Sequence, residues 1–163
     1  MSLESVDLDK PTDELFISRL LTYNPETRYI FRGVFSLDEI VIKPSELPAA
    51  YIYNTFPRYT KSVGHWICLY VTKTFSIEFF GSYGLPPPIK LLRMVRHWTR
   101  KVTWNKIRYQ HYTSNVYGLY AVYYLHYRCH GWTMKQIQEH FNRNALANDI
   151  FVKKTIKSMI NNL

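Results

Sequence analysis

The stretch that decides the fold reads Gln110-His111-Tyr112-Thr113-Ser114-Asn115-Val116-Tyr117-Gly118-Leu119-Tyr120. It leaves a basic segment, crosses a polar turn and enters the most apolar helix that the sequence predicts, over residues 117–129. The start of a buried helix favours a nucleophile, because the helix dipole and unpaired N–H groups there stabilise negative charge. The residue at this entry point is Tyr117, however, and neither cysteine nor serine occupies its place.

Length and composition predict a single domain, 1–163, in which residues 1–11 form a loose lead-in. The net charge of +9 favours nucleic acid or another anionic partner. The two cysteines, Cys68 and Cys129, are too few for a secreted disulfide scaffold. Because no apolar run could span a membrane and residues 1–14 are unlike a signal peptide, we expect a soluble intracellular protein, in nucleus or cytoplasm, without a membrane partner.

The order of the predicted elements is helix, strands, helix, strand, buried helix and further helices, which indicates the α+β class. A first helix ends at Tyr23, with Thr12 or Asp13 as its cap, and residues 26–48 look irregular. The predicted strands are 50–53, a hairpin of 65–71 and 75–80, and a short strand over 106–110. We therefore expect a mixed or antiparallel central sheet packed on the buried helix.

A helix is also predicted after Pro86-Pro87-Pro88, with Ile89, Leu92, Val95 and Trp98 directed inward. Thr133 is the predicted cap of a later helix, and the last helix covers residues 148–161.

Four residues stand at element boundaries in a suggestive order: His65, Gly81, Gln110 and Tyr117. In a cysteine protease, a histidine takes the thiol proton, an acid orients the histidine, and a glutamine amide stabilises the oxyanion. The order and spacing of these positions resemble the adenovirus-type cysteine protease (adenain) family and its relatives, the SUMO and ubiquitin-like-protein proteases.

The matching pieces cover roughly residues 12–145 and are Gly64-His65-Trp66, Phe80–Gly84, Gln110 with Ser114-Asn115, and Tyr117–Tyr120. The amino-acid sequence of these pieces most resembles the proteases of Maverick/Polinton transposons and adintovirus-like DNA viruses. The resemblance implies a papain-like cysteine-protease fold, a viral or transposon origin, and either a host-cell or a virion-associated location.

Two members of the catalytic set differ from the family, since Gly81 stands where the family has Asp or Glu and Tyr117 where it has Cys. Glu78 should point to the opposite face of its strand, and Cys129 lies about three helical turns beyond the entry point. We therefore expect no competent catalytic residue: the chain reads as a pseudoprotease, not an enzyme, with His65 and Tyr117 as neighbours.

A run of basic residues without any acid lies between residues 90 and 110. Its members are Lys90, Arg93, Arg96, Arg100, Lys101, Lys106 and Arg108. The run is either an ordinary solvated face or a phosphate-contacting patch, and the resemblance adds that adenovirus-type proteases use DNA as a cofactor. No metal-ligand spacing occurs, because His126 and His130 lack cysteine or acidic partners in the sequence, and we expect neither a metal nor another cofactor.

The first functional hypothesis is a catalytically inactive adenain-like domain that binds a protein or peptide partner. Trp66, Ser114 and Asn115 are its candidate groove residues. One alternative is a nucleic-acid-binding module that uses the basic residues between 90 and 108. Another is a peptidase that retains residual activity or uses a different nucleophile.

Overall fold

The computed structural model describes residues 3, 6–39, 42, 45–61 and 64–163, so part of the predicted lead-in lies outside the described residues. Its helices are α1 (Glu14–Tyr23), α2 (Ile89–Arg96), α3 (Tyr117–Cys129), α4 (Met134–Gln138) and α5 (Ala145–Asn161). Its strands are β1 (Phe31–Phe35), β2 (Ala49–Asn54), β3 (Trp66–Val71), β4 (Ile77–Phe80) and β5 (Val102–Trp104). Within this described part of the chain, no helix is both long and apolar enough to cross a bilayer.

The five strands form one mixed sheet in the order β1-β2-β3-β4-β5. β3 lies at its centre and pairs antiparallel with both neighbours, whereas the outer pairs β1–β2 and β4–β5 are parallel. Alternate residues of β3 enter two different cores: Cys68 and Tyr70 face one, and Ile67 and Leu69 face the other. Both faces of the sheet are therefore covered.

α3 is the centre of the first core, since its residues from Tyr117 to Leu125 are all buried. Its second residue is Gly118, and a Cβ there would lie 1.8 Å from Thr12 Oγ1. The glycine therefore allows the segment before α1 to cross closely over the first turn of α3. The predicted mixed sheet packed on a buried helix is confirmed.

Three helix caps explain where the surrounding helices begin. Asp13 caps α1 by accepting a hydrogen bond of 2.7 Å from the Phe16 N–H, and Thr133 forms a capping box with Gln136 at α4. α5 begins at Ala145, earlier than predicted, because Asn144 caps it by accepting from the Ala147 N–H.

The strand predicted over residues 106–110 is wrong, because the last strand is β5 and the chain leaves the sheet after Trp104. The turn is made by the buried Asn105, whose side-chain amide donates to the backbone carbonyls of Gly81 and Ile107. Gln110 therefore follows a loop and does not end a strand.

The predicted inward face of α2 is partly wrong. Ile89 and Trp98 are exposed, while Leu91, Leu92 and Val95 face the sheet. The helix ends at Arg96, because the Val95 carbonyl accepts from both the Trp98 and Thr99 N–H groups in a tighter turn. As a result Arg100 lies beyond the helix and does not share a helical face with Arg93 and Arg96.

The strand β1 lies inside the segment that was predicted to be irregular. Gly33 has φ +137° there, and the register with β2 shifts between Phe31 and Val34. Such an interruption removes the regular alternation from which a strand is predicted.

Candidate functional site

His65 and Gly81 meet at one end of the sheet. β3 begins just after His65, β4 ends just before Gly81, and the antiparallel register pairs Cys68 with Phe80. A Cβ placed on Gly81 would lie 3.7 Å from His65 Nε2 and 3.6 Å from Ile67 Cγ1, which is ordinary van der Waals contact. The backbone thus points position 81 at the imidazole and leaves room for a Cβ there.

The imidazole of His65 lies between two tyrosine rings. It stacks on Tyr83, with ring centroids 4.6 Å apart and an interplanar angle of 13°, and meets Tyr117 at 5.2 Å and 57°. Tyr117 is the first residue of α3, so the start of the buried helix faces the end of the sheet at this point. His65 and Tyr117 are neighbours through their rings and are not hydrogen-bonded.

Both ring nitrogens of His65 are buried, and neither has a hydrogen-bond partner among the described residues. Burial lowers the pKa of His65 to about 4, so the ring is neutral at neutral pH. A neutral imidazole still carries one donor and one acceptor, and leaving such a group unsatisfied costs about 1–3 kcal/mol. Unsatisfied groups of this kind are rare in native structures, and each calls for an explanation.

The two phenols beside His65 are also neutral. Burial raises the pKa of Tyr117, and the nearby Tyr83 adds to this effect. Burial and then the carboxylate of Asp149 raise the pKa of Tyr83, while Arg108 opposes them. The three rings therefore form an uncharged aromatic cluster at the junction of sheet and helix.

Gln110 is completely buried and uses its side-chain amide inside the protein. Its Oε1 accepts from the Ser82 hydroxyl, and its Nε2 donates to the carbonyl and the hydroxyl of Ser114 at 2.8 and 3.1 Å. The amide thus ties the residue after Gly81 to the loop that precedes α3. In this arrangement it holds the loop and does not point into open space.

The other candidate groove residues differ in their surroundings. Asn115 is exposed, whereas Trp66 is buried in the first core and donates its Nε1–H to the Thr12 carbonyl at 3.1 Å. Trp66 nonetheless contributes to the wall of a cleft of about 320 Å³ beside His65. Ser114 is engaged by Gln110 as described above.

Two residues of the site were not predicted from the sequence: Tyr83, which stacks on His65, and Asn105. The Asn105 Oδ1 accepts from the Gly81 N–H at 3.0 Å, and its Nδ2 donates to the Gly81 carbonyl at 2.7 Å. This pair of bonds fixes the backbone that faces His65. Since the partner is main chain 24 residues earlier, no side-chain pattern could have indicated it.

The two cysteines and Glu78 are engaged elsewhere in the protein and do not take part in the site around His65. Cys68 donates to the Ala121 carbonyl inside the core, and burial raises its pKa, as it raises that of Cys129 to about 12. Glu78 accepts two hydrogen bonds from Arg128 on the α3 side of the sheet. Both cysteines are free thiols, and neither they nor Glu78 form a hydrogen bond with the imidazole of His65.

All seven basic candidates between residues 90 and 108 are exposed. Among the described residues, none of them has a carboxylate oxygen within 4.0 Å. Lys106 lies over the ring of Trp104 and Arg108 over that of Tyr112, each at 5.8 Å from the centroid. The positive charge of this surface is therefore available to a partner.

The described residues contain no group of three or more His, Cys, Asp or Glu that could hold a metal ion. His126 is hydrogen-bonded to Asn24, and His130 does have an acidic partner, Glu26, at 2.7 Å.

No family model matches this chain, and no curated protein matches it. The solved structures that resemble it include a crystal structure of a protease from African swine fever virus (ASFV), with 19% sequence identity and a TM-score of 0.46. The match covers 63% of this chain and 43% of the viral protein, so the chain spans less than half of that protein's length.

This finding corrects one prediction. From Gly81 and Tyr117 we expected that the chain is not an enzyme, and that prediction is contradicted because the similar structure is that of a protease.

Proposed function

We propose that this chain is a peptide-binding domain with an adenain-like fold of viral or transposon origin, and that it holds its partner around His65 and Tyr117. The observation that carries the proposal is the buried imidazole whose two nitrogens have no partner among the described residues. Because both nitrogens are buried, a bound segment would reach them only if the partly exposed ring of Tyr83 moves aside. A peptide backbone offers both N–H donors and carbonyl acceptors, so it could then satisfy the imidazole that the protein itself leaves unpaired.

The neighbours of His65 support the same proposal. The partly exposed Tyr83 presents an aromatic face at the junction of sheet and helix, and the buried ring of Tyr117 supports the imidazole on which Tyr83 stacks. Aromatic rings supply much of the contact energy in peptide recognition. The frame around them is firmly held, because Asn105 fixes Gly81 and Gln110 fixes Ser114. A preorganised surface loses little conformational entropy on binding.

The test selects binders from a random phage-displayed peptide library on the immobilised full chain and maps them by NMR chemical shifts. We expect the bound peptides to shift the resonances of His65, Tyr83 and Tyr117. Tyr117→Ala and Tyr83→Ala should each weaken binding about tenfold or more, as expected for central aromatic contacts. The matched control is Tyr29→Ala, a highly exposed tyrosine outside this cluster, which should leave binding unchanged.

Peptides that bind but shift only other regions, or tolerate both tyrosine replacements, would refute the proposal. Mass spectrometry of the recovered peptides also measures any cleavage directly, so the peptidase alternative is tested in the same experiment.

Nucleic-acid binding is a second candidate function, and the exposed basic residues favour it. No acidic residue occurs from 79 to 138, and the seven cations between 90 and 108 have no ion-pair partner among the described residues. Contacts to phosphate would make affinity fall steeply with salt, so binding of labelled duplex DNA should weaken between about 50 and 200 mM salt. Arg96→Glu with Arg108→Glu should reduce the slope, whereas the control Lys154→Glu on α5 should not. A flat salt response would exclude this function.

A further inference from the structure

We propose that the groove is charge-polarised and takes an extended peptide that is basic at one end, apolar in the middle and acidic at the other. This inference rests on the proposed function, since it specifies the chemistry of the peptide that would bind around His65.

The acidic end of the groove is the cleft beside Trp66, which we call the acidic cleft. Its lining includes Asp13, Glu14 and Arg58. The Arg58 guanidinium binds Glu39 and Glu14, and its backbone N–H donates to Asp38. Two carboxylates, those of Glu14 and Glu39, thus contact the guanidinium, and those of Asp13 and Asp38 lie close to the same residues.

The acidic residues of this region outnumber the basic ones even when the loop that follows Arg58 is included. The exposed Lys61 belongs to the same loop as Arg58, and with it counted the acids still outnumber the bases by four to two. The hydrogen bond from Arg58 lowers the pKa of Glu39, so this carboxyl stays ionised at neutral pH. The acidic cleft therefore favours a basic side chain.

Two lining residues connect the acidic cleft to the surroundings of His65 and Tyr117. Asn54 lines the cleft, and the next residue, Thr55, exchanges two hydrogen bonds with His65: its N–H donates to the His65 carbonyl and its Oγ1 accepts from the His65 N–H. Thr12 lines the same cleft and touches Gly118, the neighbour of Tyr117. A chain leaving the cleft past these residues meets the aromatic cluster.

The opposite end, which we call the basic wall, starts at Tyr83. Gly84 has φ +66°, and a Cβ there would lie 2.6 Å from the Ile107 carbonyl carbon, so the segment after Tyr83 abuts the segment around Ile107. Lys106 and Arg108 flank Ile107, and both are exposed. Arg108 lies over the ring of Tyr112, which is itself 67% exposed.

Apolar and positive groups therefore share the basic wall, with Leu85, Ile107 and Tyr112 as its exposed apolar members. Asp149 is the acid that acts on the pKa of Tyr83. It is buried, and its carboxylate accepts hydrogen bonds from the Tyr120 hydroxyl and the His111 N–H. An acidic side chain next to an apolar one is the ligand that this wall complements.

β2 and β4 pair with opposite sides of β3, so the cleft that follows β2 and the wall that follows β4 flank His65 at the start of β3. Their opposite charges favour a bipolar peptide over a uniformly charged one. Nucleic acid fits this arrangement less well, because its phosphates would approach the carboxylates of the acidic cleft. Exposed charge pairs of this kind mainly set orientation and specificity.

The experiment uses four labelled peptides of equal length with the same aromatic centre, measured by fluorescence anisotropy on the full chain at low salt. Two peptides are bipolar, with their charged ends in opposite orders, one has acidic ends, and one has basic ends. We expect one bipolar peptide to bind about fivefold more tightly than the other three, because one exposed charge pair changes affinity by about that factor.

Charge reversal then locates each end. Glu14→Lys should make the peptide with two acidic ends the preferred ligand, and Arg108→Glu should favour the peptide with two basic ends. Glu14→Gln removes the charge without reversing it, and it serves as the variant of choice if Glu14→Lys unfolds. Thermal melts by circular dichroism establish that each variant is folded.

The outcomes separate this inference from the proposed function. Equal binding of all four peptides, weakened throughout by Tyr117→Ala, would overturn the polarity and leave the peptide site standing. Tightest binding of the peptide with two acidic ends to the unaltered chain would also overturn it, since the acidic cleft would then play no part. If no peptide shifts the Tyr117 resonances, the proposed function itself fails, and tighter binding of a single-stranded oligonucleotide would assign the surface to nucleic acid.

Discussion

Replacing Gly81 with aspartate should convert His65 from a neutral to a titrating residue near neutral pH. The Cβ of the new side chain would lie 3.7 Å from Nε2, in ordinary van der Waals contact, so its carboxylate starts within reach of the imidazole. At about 4 Å and an effective dielectric constant of about 20, the attraction between imidazolium and carboxylate is about 4 kcal/mol. Since each tenfold change corresponds to about 1.4 kcal/mol, the pKa of His65 should rise from about 4 to roughly 6–7.

The assay is an NMR titration of the histidine ring signals in Gly81→Asp, with the His65 signal assigned by its loss in His65→Gln. The other five histidines serve as internal references. Gly81→Asn adds a side chain of the same size without charge, so it should leave the pKa of His65 low. An unchanged His65 titration in a folded Gly81→Asp protein would refute the placement of position 81 against the imidazole.

Three further predictions concern stability, each measured as the free energy of unfolding in urea. In the unaltered chain, the pKa of His65 is about 4 when folded and about 6.5 when unfolded, so only the unfolded state takes up this proton between those values. Stability should therefore fall by about 3 kcal/mol as the pH decreases through that window, and His65→Gln should remove this part of the loss. Gly118→Ala should destabilise by about 1–3 kcal/mol despite the better helix propensity of alanine, because its Cβ meets Thr12, and a Thr12→Ala background should recover much of the cost. Arg128→Ala should lower the free energy of unfolding by about 3 kcal/mol, because it leaves the largely buried Glu78 without its cationic partner. Replacing both residues, Glu78→Gln with Arg128→Met, should cost less. If the effects of the two single replacements simply add in the double variant, the two residues are not coupled and the prediction is wrong.

The central hairpin could be predicted because β-branched and aromatic residues dominate both β3 and β4. α3 could be predicted as buried because apolar residues occupy nearly every face of it. The sequence did not reveal β1, where Gly33 breaks the alternation, nor the position of β5, where Asn105 turns the chain. Both depend on contacts between segments distant in sequence.

Part of the candidate site could also be predicted from the sequence. His65, Gly81 and Tyr117 stand at element ends, and the hairpin register together with the start of α3 brings them together. Tyr83 could not be selected from among fourteen tyrosines, because stacking on His65 depends on the turn that follows β4. The use of Gln110 as a loop tie could not be predicted either, since its partners are the Ser82 hydroxyl and the Ser114 backbone.

The two positions that differ from the adenain pattern are not physically equivalent. Position 81 has room for a Cβ, whereas the ring of Tyr117 is packed against His65 and only 6% exposed, so a smaller residue there would leave a void. His65 would also be a weak base for a thiol placed at position 117. The thiol has an ordinary pKa of about 8.5 and the imidazole has a pKa of about 4, so transferring the proton from sulfur to His65 costs about 6 kcal/mol. An aspartate at position 81 would roughly halve that cost by stabilising the imidazolium. Thiolate chemistry at the start of α3 therefore depends first on Gly81, and only then on which residue occupies position 117.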